Sequence, residues 1–335
     1  MKLTRLKDQT IVITGASSGI GLATARAAVA RGARVMLVAR DGEFLARICA
    51  DLRRDGGQAE HRVADVADEA AVQAVAEAAV ECFGGFHTWV NNAGVGLAGP
   101  LKDIPTADQR RVFEVNYWGT VYGSLTAAQH FRATGRPGAI INVGSVGSDM
   151  VIPASAAYAA TKFAVKGFTD GLRIDLMQER LPVSVTLVKP SAIESRFFQH
   201  GASTLEGPMM APPPHYTPSV VADAILFAAE HPRRSLQVGA TAVVAPVLAQ
   251  AVPGLLDRVM GAAPGASAAD PEHPKPVVAN LHDVPEDGSE RAGWHRARSW
   301  SLTTAAQTRL RAPLAVAAGL GLFGVGVLRA MARRG

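Results

Sequence analysis

Tyr158 and Lys162 stand four residues apart in a stretch, 156–179, whose apolar spacing predicts a helix. At that interval both side chains share one face. A free phenol titrates near ~10, too high for a base at neutral pH, but a neighbouring ammonium stabilises its anion and lowers that value. Such a pair can pass a proton to or from a carbinol oxygen while hydride moves at the carbon. Ser145 precedes Tyr158 by 13 residues, just past a predicted strand at Gly138–Val143. There its hydroxyl can hydrogen-bond a developing alkoxide.

A second constellation lies near the N-terminus, in Thr14-Gly15-Ala16-Ser17-Ser18-Gly19-Ile20-Gly21. Glycine suits a tight turn and a close backbone approach to a pyrophosphate, and a helix N-terminus offers free N–H groups to that anion. Alone, such a loop is also an ordinary turn. Its place between a predicted strand and a predicted helix favours the nucleotide reading.

The elements that must position these groups follow from short Val- and Ile-rich runs alternating with Ala-rich helical stretches. Ile11–Thr14, Arg34–Ala39, His61–Ala64, Thr88–Asn91, Gly138–Val143 and Val183–Val188 read as buried strands. Ile20–Arg31, Glu43–Asp55, Glu69–Cys82, Ala107–Ala133 and Ala156–Glu179 read as helices. This order implies right-handed crossovers and an α/β fold, a doubly wound parallel sheet with sites at the carboxyl ends of the strands. Residues 191–218 read as a loop or lid, Ser219–Glu230 as a helix, Ser235–Val238 as a last strand and Thr241–Met260 as an apolar helix broken near Pro253. The expected organisation is one catalytic domain over 1–260, a Pro- and Gly-rich linker with little fixed structure over 261–293, and a basic tail over 294–335 with a short apolar helix.

The glycine spacing, with three further motifs in order, resembles the short-chain dehydrogenase/reductase family over about residues 8–250. Asn91-Asn92-Ala93-Gly94 follows the fourth strand, Asn116 stands in Asn-Tyr-Trp-Gly, and Ser145 and Tyr158-x-x-x-Lys162 complete the set. The resemblance implies a Rossmann-like single catalytic domain with a C-terminal extension. It also implies a tetrad of Asn116, Ser145, Tyr158 and Lys162, in which Lys162 holds the nicotinamide ribose and Asn116 positions a water leading protons to Lys162. Cofactor contacts are then expected from Gly15, Ser17, Ser18, Gly19, Ile20, Gly21, Asp65, Val66, Asn92, Ala93, Gly94, Tyr158, Lys162, Pro190, Ile193 and Ser195. Asn92 also suits a tie between neighbouring strands, and Asp65 a turn cap. Ser191 and Ser195 replace the Gly and Thr usual in relatives, which loosens the expectation for that loop.

At the end of the second strand Ala39 takes the place of the acid that would bind the ribose hydroxyls of NAD. Arg40 follows, able to pair with a 2′-phosphate. NADP is therefore expected, with NAD the alternative, and Asp41 complicates the choice because it is able to neutralise Arg40 or to serve the ribose itself. The residues expected around the substrate are Val95, Gly96, Leu97, Met150, Val151, Pro153, Phe197, Phe198, Met209 and Met210. They are apolar, which suits a lipophilic alcohol or carbonyl compound, or simply a lid closing on the core. A catalytically silent dinucleotide sensor on the same fold is the competing function.

Composition sets the outer limits. The chain has 335 residues, 48% hydrophobic and 19% charged, which excludes a disordered tail protein and a disulfide scaffold. The formal charge of +5 is uneven: eight arginines and no acid lie between Arg291 and Gly335, leaving 1–290 at a net −3. Nucleic-acid binding is not expected, since no recognition motif accompanies the tail arginines. Cys49 and Cys82 are expected to be buried and inert and the location cytoplasmic, with no metal site and a homodimer or homotetramer. The run 312–328 carries no charge and is at the lower limit for crossing a bilayer. Membrane association through it and a helix packed on protein are both open readings.

Overall fold

The computed structural model describes residues 1–210, 213–262, 269–270, 272–273, 278–285 and 288–309. Its first half alternates β1 (Thr10–Thr14), α1 (Gly19–Val29), β2 (Arg34–Ala39), α2 (Gly42–Arg54), β3 (Gln58–Val63), α3 (Glu69–Phe83), β4 (Thr88–Asn91) and the short β5 (Leu97–Ala98). There follow α4 (Thr106–Phe113), α5 (Gly119–Thr134), β6 (Gly138–Val143), α6 (Ala156–Gln178), β7 (Val183–Pro190), α7 (Arg196–His200), β8 (Ala202–Ser203) and β9 (His215–Tyr216). The chain continues through α8 (Pro218–Glu230), β10 (Ser235–Val238), α9 (Thr241–Ala251), α10 (Pro253–Ala262), β11 (Ala297–Arg298) and α11 (Leu302–Arg309).

Seven strands form one parallel sheet in the order β10-β7-β6-β4-β1-β2-β3. The winding reverses between β1 and β4, the crevice where such sheets bind ligands. β1, β4, β6 and β7 are buried along their whole length, because helices cover both faces. One core holds Ile11, Ile13, Leu22, Leu37 and Ile225; the opposite one holds Val12, Met36, Trp89, Phe131 and Ile140. Alternate residues of one strand thus feed different cores. A buried polar network crosses the second face: Asn91 accepts from Trp89 Nε1 at 2.8 Å and donates to Ser124 at 3.0 Å and Asn142 at 2.8 Å, while Asn142 donates to Thr169 at 3.0 Å.

The structure corrects several expectations. The helix expected over 107–133 is interrupted by a π turn at Glu114–Trp118, which holds Asn116 and closes with Gly119 N–H bonding Glu114 O. Such a turn widens a helix by one residue, a distortion that periodicity does not reveal. The third strand starts at Gln58, earlier than its apolar run, because it pairs with β2 from Arg34 onward. The loop expected over 191–218 holds α7, β8 and β9, tied down by pairing with distant segments. Cys49 is buried as expected, its thiol pushed up to about 11 by burial, but Cys82 is exposed. The apolar stretch after Gly239 is α9 and α10, bent by 113°. Among the described residues no single helix is long and apolar enough to cross a membrane, though that bent pair passes the test by length and composition together. The run 312–328 lies outside the described residues.

The described residues 278–285 and 288–293 of the segment expected to be a loose linker instead pack on the body. Leu281 is 1% exposed and belongs to the core beside Val66 and Val115. Arg291, first of the tail arginines, pairs with the buried Glu194, so part of the tail's charge is neutralised inside the fold. Further on, β11 pairs with β9, and Gln307 on α11 uses its amide as a strand would. Gln307 accepts from Gln237 N–H at 2.9 Å and donates to Gln237 O at 2.8 Å, covering part of the edge strand β10.

Candidate active site

The glycine loop closes tightly against the strand ends. A Cβ at Gly21 would lie 2.1 Å from Gly15 O, and Gly15 itself has φ +65° with Ala93 Cα 2.8 Å from any Cβ placed there. Asn92 Nδ2 donates to Thr14 O at 2.9 Å and Gly15 O at 3.1 Å, fastening β4 to the loop. Gly21 therefore shapes the loop from behind, while Gly15, Ser17, Ser18, Gly19 and Ile20 line the cavity.

That cavity, about 260 Å³, runs from the glycine loop past Arg40, Asp65 and Val66 to Asn92, Ala93 and Gly94. It reaches Ser145, Tyr158, Lys162, Pro190, Ile193 and Ser195 at the other end. All the expected cofactor contacts except Gly21 line it. An anionic dinucleotide fits this donor set: N–H groups of the α1 terminus, the Arg40 guanidinium and the Lys162 ammonium all face one groove. Two buried polar atoms on its wall, Ser191 Oγ and Asn280 Oδ1, have no partner among the described residues, and groups of that kind suit a ribose or a carboxamide.

At the catalytic end α6 presents Tyr158 and Lys162 together. Burial pushes the Tyr158 phenol up to about 12, a rise that the Ser145 side chain only partly offsets. Burial also lowers the Lys162 ammonium to about 8. Its Nζ donates to Val143 O at 3.0 Å and lies 5.7 Å from the Tyr158 ring centroid. In the protein alone burial sets the direction of the phenol's shift, upward, and the lowering expected from Lys162 is not among its causes. Ser145 Oγ accepts from Gly147 N–H at 3.0 Å, while Ser148 Oγ accepts from Ser145 N–H at 3.2 Å. One lone pair of Ser145 Oγ is so engaged, and its hydroxyl hydrogen remains to be donated.

Asn116 is fully buried behind this group and does not line the cavity. Its Oδ1 accepts from Val95 N–H at 2.8 Å, and its Nδ2 donates to Val95 O and Thr161 Oγ1, each at 3.1 Å. These bonds fix the Val95 loop to α6. A Cβ at Gly94 would come within 3.3 Å of Asn116 Oδ1 and 3.7 Å of Lys162 Nζ, so glycine there keeps the lysine's surroundings open.

Of the expected substrate residues, Val95, Pro153, Phe197, Phe198, Met209 and Met210 line the cavity, joined by Ile152 and by His200, whose imidazole burial lowers to about 4. Gly96, Leu97, Met150 and Val151 do not: Leu97 lies in the core on β5, Met150 packs with Val146 and Ala245, and Val151 is exposed. Asp41 does not meet Arg40 but caps α2, accepting from Phe44 N–H at 3.0 Å. Asp65 accepts from Ala67 N–H at 3.0 Å and pairs with Arg111, which also donates to Leu281 O at 3.1 Å. Arg111, Asn280, Val284 and Pro285 were missed by sequence reasoning; only the apolar Leu281 and Val284 inside a Pro-rich stretch hinted at packing.

A family profile described as short chain dehydrogenase matches residues 9–205. The chain belongs to the short-chain dehydrogenase/reductase family. The uncharacterized oxidoreductase YxnA of Bacillus subtilis is 42% identical over 330 residues, covering 96% of this chain and 91% of that one. A short-chain dehydrogenase/reductase from Burkholderia phymatum, solved with NAD, superposes with TM-score 0.68 and 26% identity over 76% of this chain and 97% of its own. A gluconate 5-dehydrogenase from Burkholderia cenocepacia, solved with NADP and tartrate, gives 0.63 and 27% over 72% and 97%. The protein is an oxidoreductase of this family.

Proposed function

We propose that the protein interconverts a lipophilic alcohol and its ketone or aldehyde, with NADP(H) preferred over NAD(H) and Tyr158 as the acid/base. The observation that carries this reading is that Ser145, Tyr158 and the buried Lys162 together line one end of the groove that begins at the glycine loop. The bound nicotinamide supplies the hydride acceptor or donor. With its pKa pushed up to about 12 the phenol stays protonated near neutrality, ready to donate to a carbonyl oxygen in the reductive direction. Ser145 donates a second hydrogen bond to the same oxygen and steadies its developing charge. Lys162, charged below about pH 8, provides a cation beside the ribose. A silent sensor has no need of this pairing of Tyr158 with Ser145.

Arg40 beside Ala39 supports the preference for NADP. The wall of Val95, Ile152, Phe197, Phe198, Met209 and Met210 supports a lipophilic substrate, and the lowered His200 leaves no cation among these residues to hold a carboxylate or phosphate. Apolar residues exposed on α5 and α6, among them Leu125, Ile174 and Met177, support a homo-oligomer, which light scattering checks. For 312–328 the bilayer reading stands or falls on fractionation of the full chain beside a chain ending at Glu290.

The test is a panel of carbonyl compounds of graded polarity assayed with NADPH and NADH in parallel. Turnover of apolar ketones or aldehydes with a higher kcat/KM for NADPH is expected. Turnover restricted to small polar sugars overturns the substrate class, and dinucleotide binding without any turnover favours the sensor.

A further inference from the structure

Residues 280–285 and 288–294 lie along the cofactor groove, and carbonyls of Asn280, Asp283 and Ser289 sit on the groups that would recognise phosphate. Arg40 Nη2 donates to Asn280 O at 2.6 Å and to Asp283 O at 2.7 Å. Gly19 N–H, at the start of α1, donates to Ser289 O at 3.1 Å, while Gly288 N–H donates back to Ser17 O at 3.1 Å. The cation expected to choose the cofactor and an amide expected to face its diphosphate thus both bind the chain's own oxygens.

The segment is anchored on either side of these contacts. Upstream, Leu281 is buried in the core, Asn280 N–H donates to His200 O at 2.9 Å, and His282 bonds Asp108 at 2.8 Å. Downstream, Glu290 pairs with Arg26 at 2.6 Å. The buried carboxylate of Glu194 then accepts from Arg291 Nε at 2.7 Å, Gly293 N–H at 2.7 Å and Trp294 N–H at 3.1 Å. Glu194 stands between Ile193 and Ser195, so the latch closes on the loop that lines the catalytic end of the groove.

We infer that residues 280–285 and 288–294 act as a strap that competes with the cofactor's phosphates for Arg40 and Gly19, and that its docking sets the relative affinity for NADPH and NADH. The inference rests on the dinucleotide reading of the groove. A carbonyl oxygen offers the acceptor geometry of a phosphate oxygen without its full charge, so a phosphate is the stronger partner once the strap yields. Both dinucleotides carry the diphosphate that contends with Ser289 O, but only NADPH carries a 2′-phosphate to contend with Asn280 O and Asp283 O. Docking of the strap therefore penalises NADPH more than NADH.

The experiment loosens both anchors in the full chain with Leu281→Ala and Arg291→Ala, leaving Arg40 and Gly19 untouched. Dissociation constants for NADPH and NADH are read from dinucleotide fluorescence. The double variant is expected to bind NADPH at least fivefold tighter and NADH less so, raising the preference for NADPH at least threefold. An unchanged ratio, or weaker binding of both, overturns the inference and makes the strap a part of the cofactor's own cradle. Hydrogen exchange on the unaltered protein gives a second reading: saturating NADPH is expected to speed exchange at Gly288, Gly293 and Trp294, and added protection there overturns the inference. If the unaltered protein binds neither dinucleotide, the groove's reading fails first and the strap's role with it.

Discussion

The ammonium of Lys162 lies 5.7 Å from the centre of the Tyr158 ring and is held by the Val143 carbonyl at 3.0 Å. Both groups share one helix face, Lys162 buried and Tyr158 half-buried, and desolvation moves them in opposite directions, the phenol up to about 12 and the ammonium down to about 8. Each is driven toward its neutral form, because a low-dielectric surrounding disfavours either charge. The fold thereby keeps Tyr158 a proton donor and makes the charge on Lys162 sensitive to mild alkali.

Replacing Tyr158 by Phe removes the donated proton but not the ring, which packs 5.5 Å from Phe197. Turnover should fall by about 10²–10⁴-fold, with the dinucleotide dissociation constant changed less than about twofold. Steady-state kinetics beside fluorescence titration check this; unchanged substrate-dependent NADPH oxidation would overturn the assignment of Tyr158.

For the reductive kcat/KM, a decline above about pH 8 is expected as Lys162 loses its proton, since Tyr158 stays protonated to about 12. A pH profile of kcat/KM, which reports the free enzyme, should show a limb that moves to higher pH in Lys162→Arg. A limb that stays in place assigns the titration to another group.

Stability should respond to Lys162 in the opposite sense to activity. Its folded pKa of about 8 lies below the ordinary 10.5, so its contribution is fully present above about 10.5 and is lost as pH falls through about 8. At neutral pH the buried charge then costs on the order of 3 kcal/mol. Lys162→Met is expected to be inactive yet to melt a few degrees higher than the parent at pH 7, with the gap closing toward pH 10.5. Calorimetry at several pH values reads it, and a lower melting temperature at pH 7 counts against the burial penalty.

Asn116→Ala leaves the N–H and C=O of Val95 unpaired in a site from which water is excluded. A loss of about 2–3 kcal/mol is expected for such orphaned groups, read as a lower urea midpoint with little change in slope. A variant of parental stability but slow turnover would instead assign a direct catalytic role to the amide.

Gln307→Ala should uncover Gln237 N–H and C=O on the edge strand β10. Exposed edge groups template pairing between chains, so the variant is expected to lose about 1 kcal/mol and to self-associate more on concentration, as light scattering would register.

What the sequence by itself determined was whatever lies within one element or its flanking turn. Tyr158 and Lys162 share a face because of the helical repeat, and the glycines of 15–21 stand where a strand must turn into a helix. The alternation of strands and helices was enough to imply a parallel sheet, and the apolar run after Gly239 was enough to mark its break at Pro253. Tertiary structure decided what depends on partners far along the chain. Arg40 meets carbonyls some 240 residues away, and Glu194 is enclosed by donors about a hundred residues on. Apart from the Arg291–Glu194 ion pair, these contacts have a backbone group as one partner, which nearly any residue type supplies, so they leave no periodic or compositional trace. The same holds for the pKa values at the site: Tyr158 and Lys162 were legible as a pair, but the direction each is pushed depends on burial by residues that the spacing of the motif does not name.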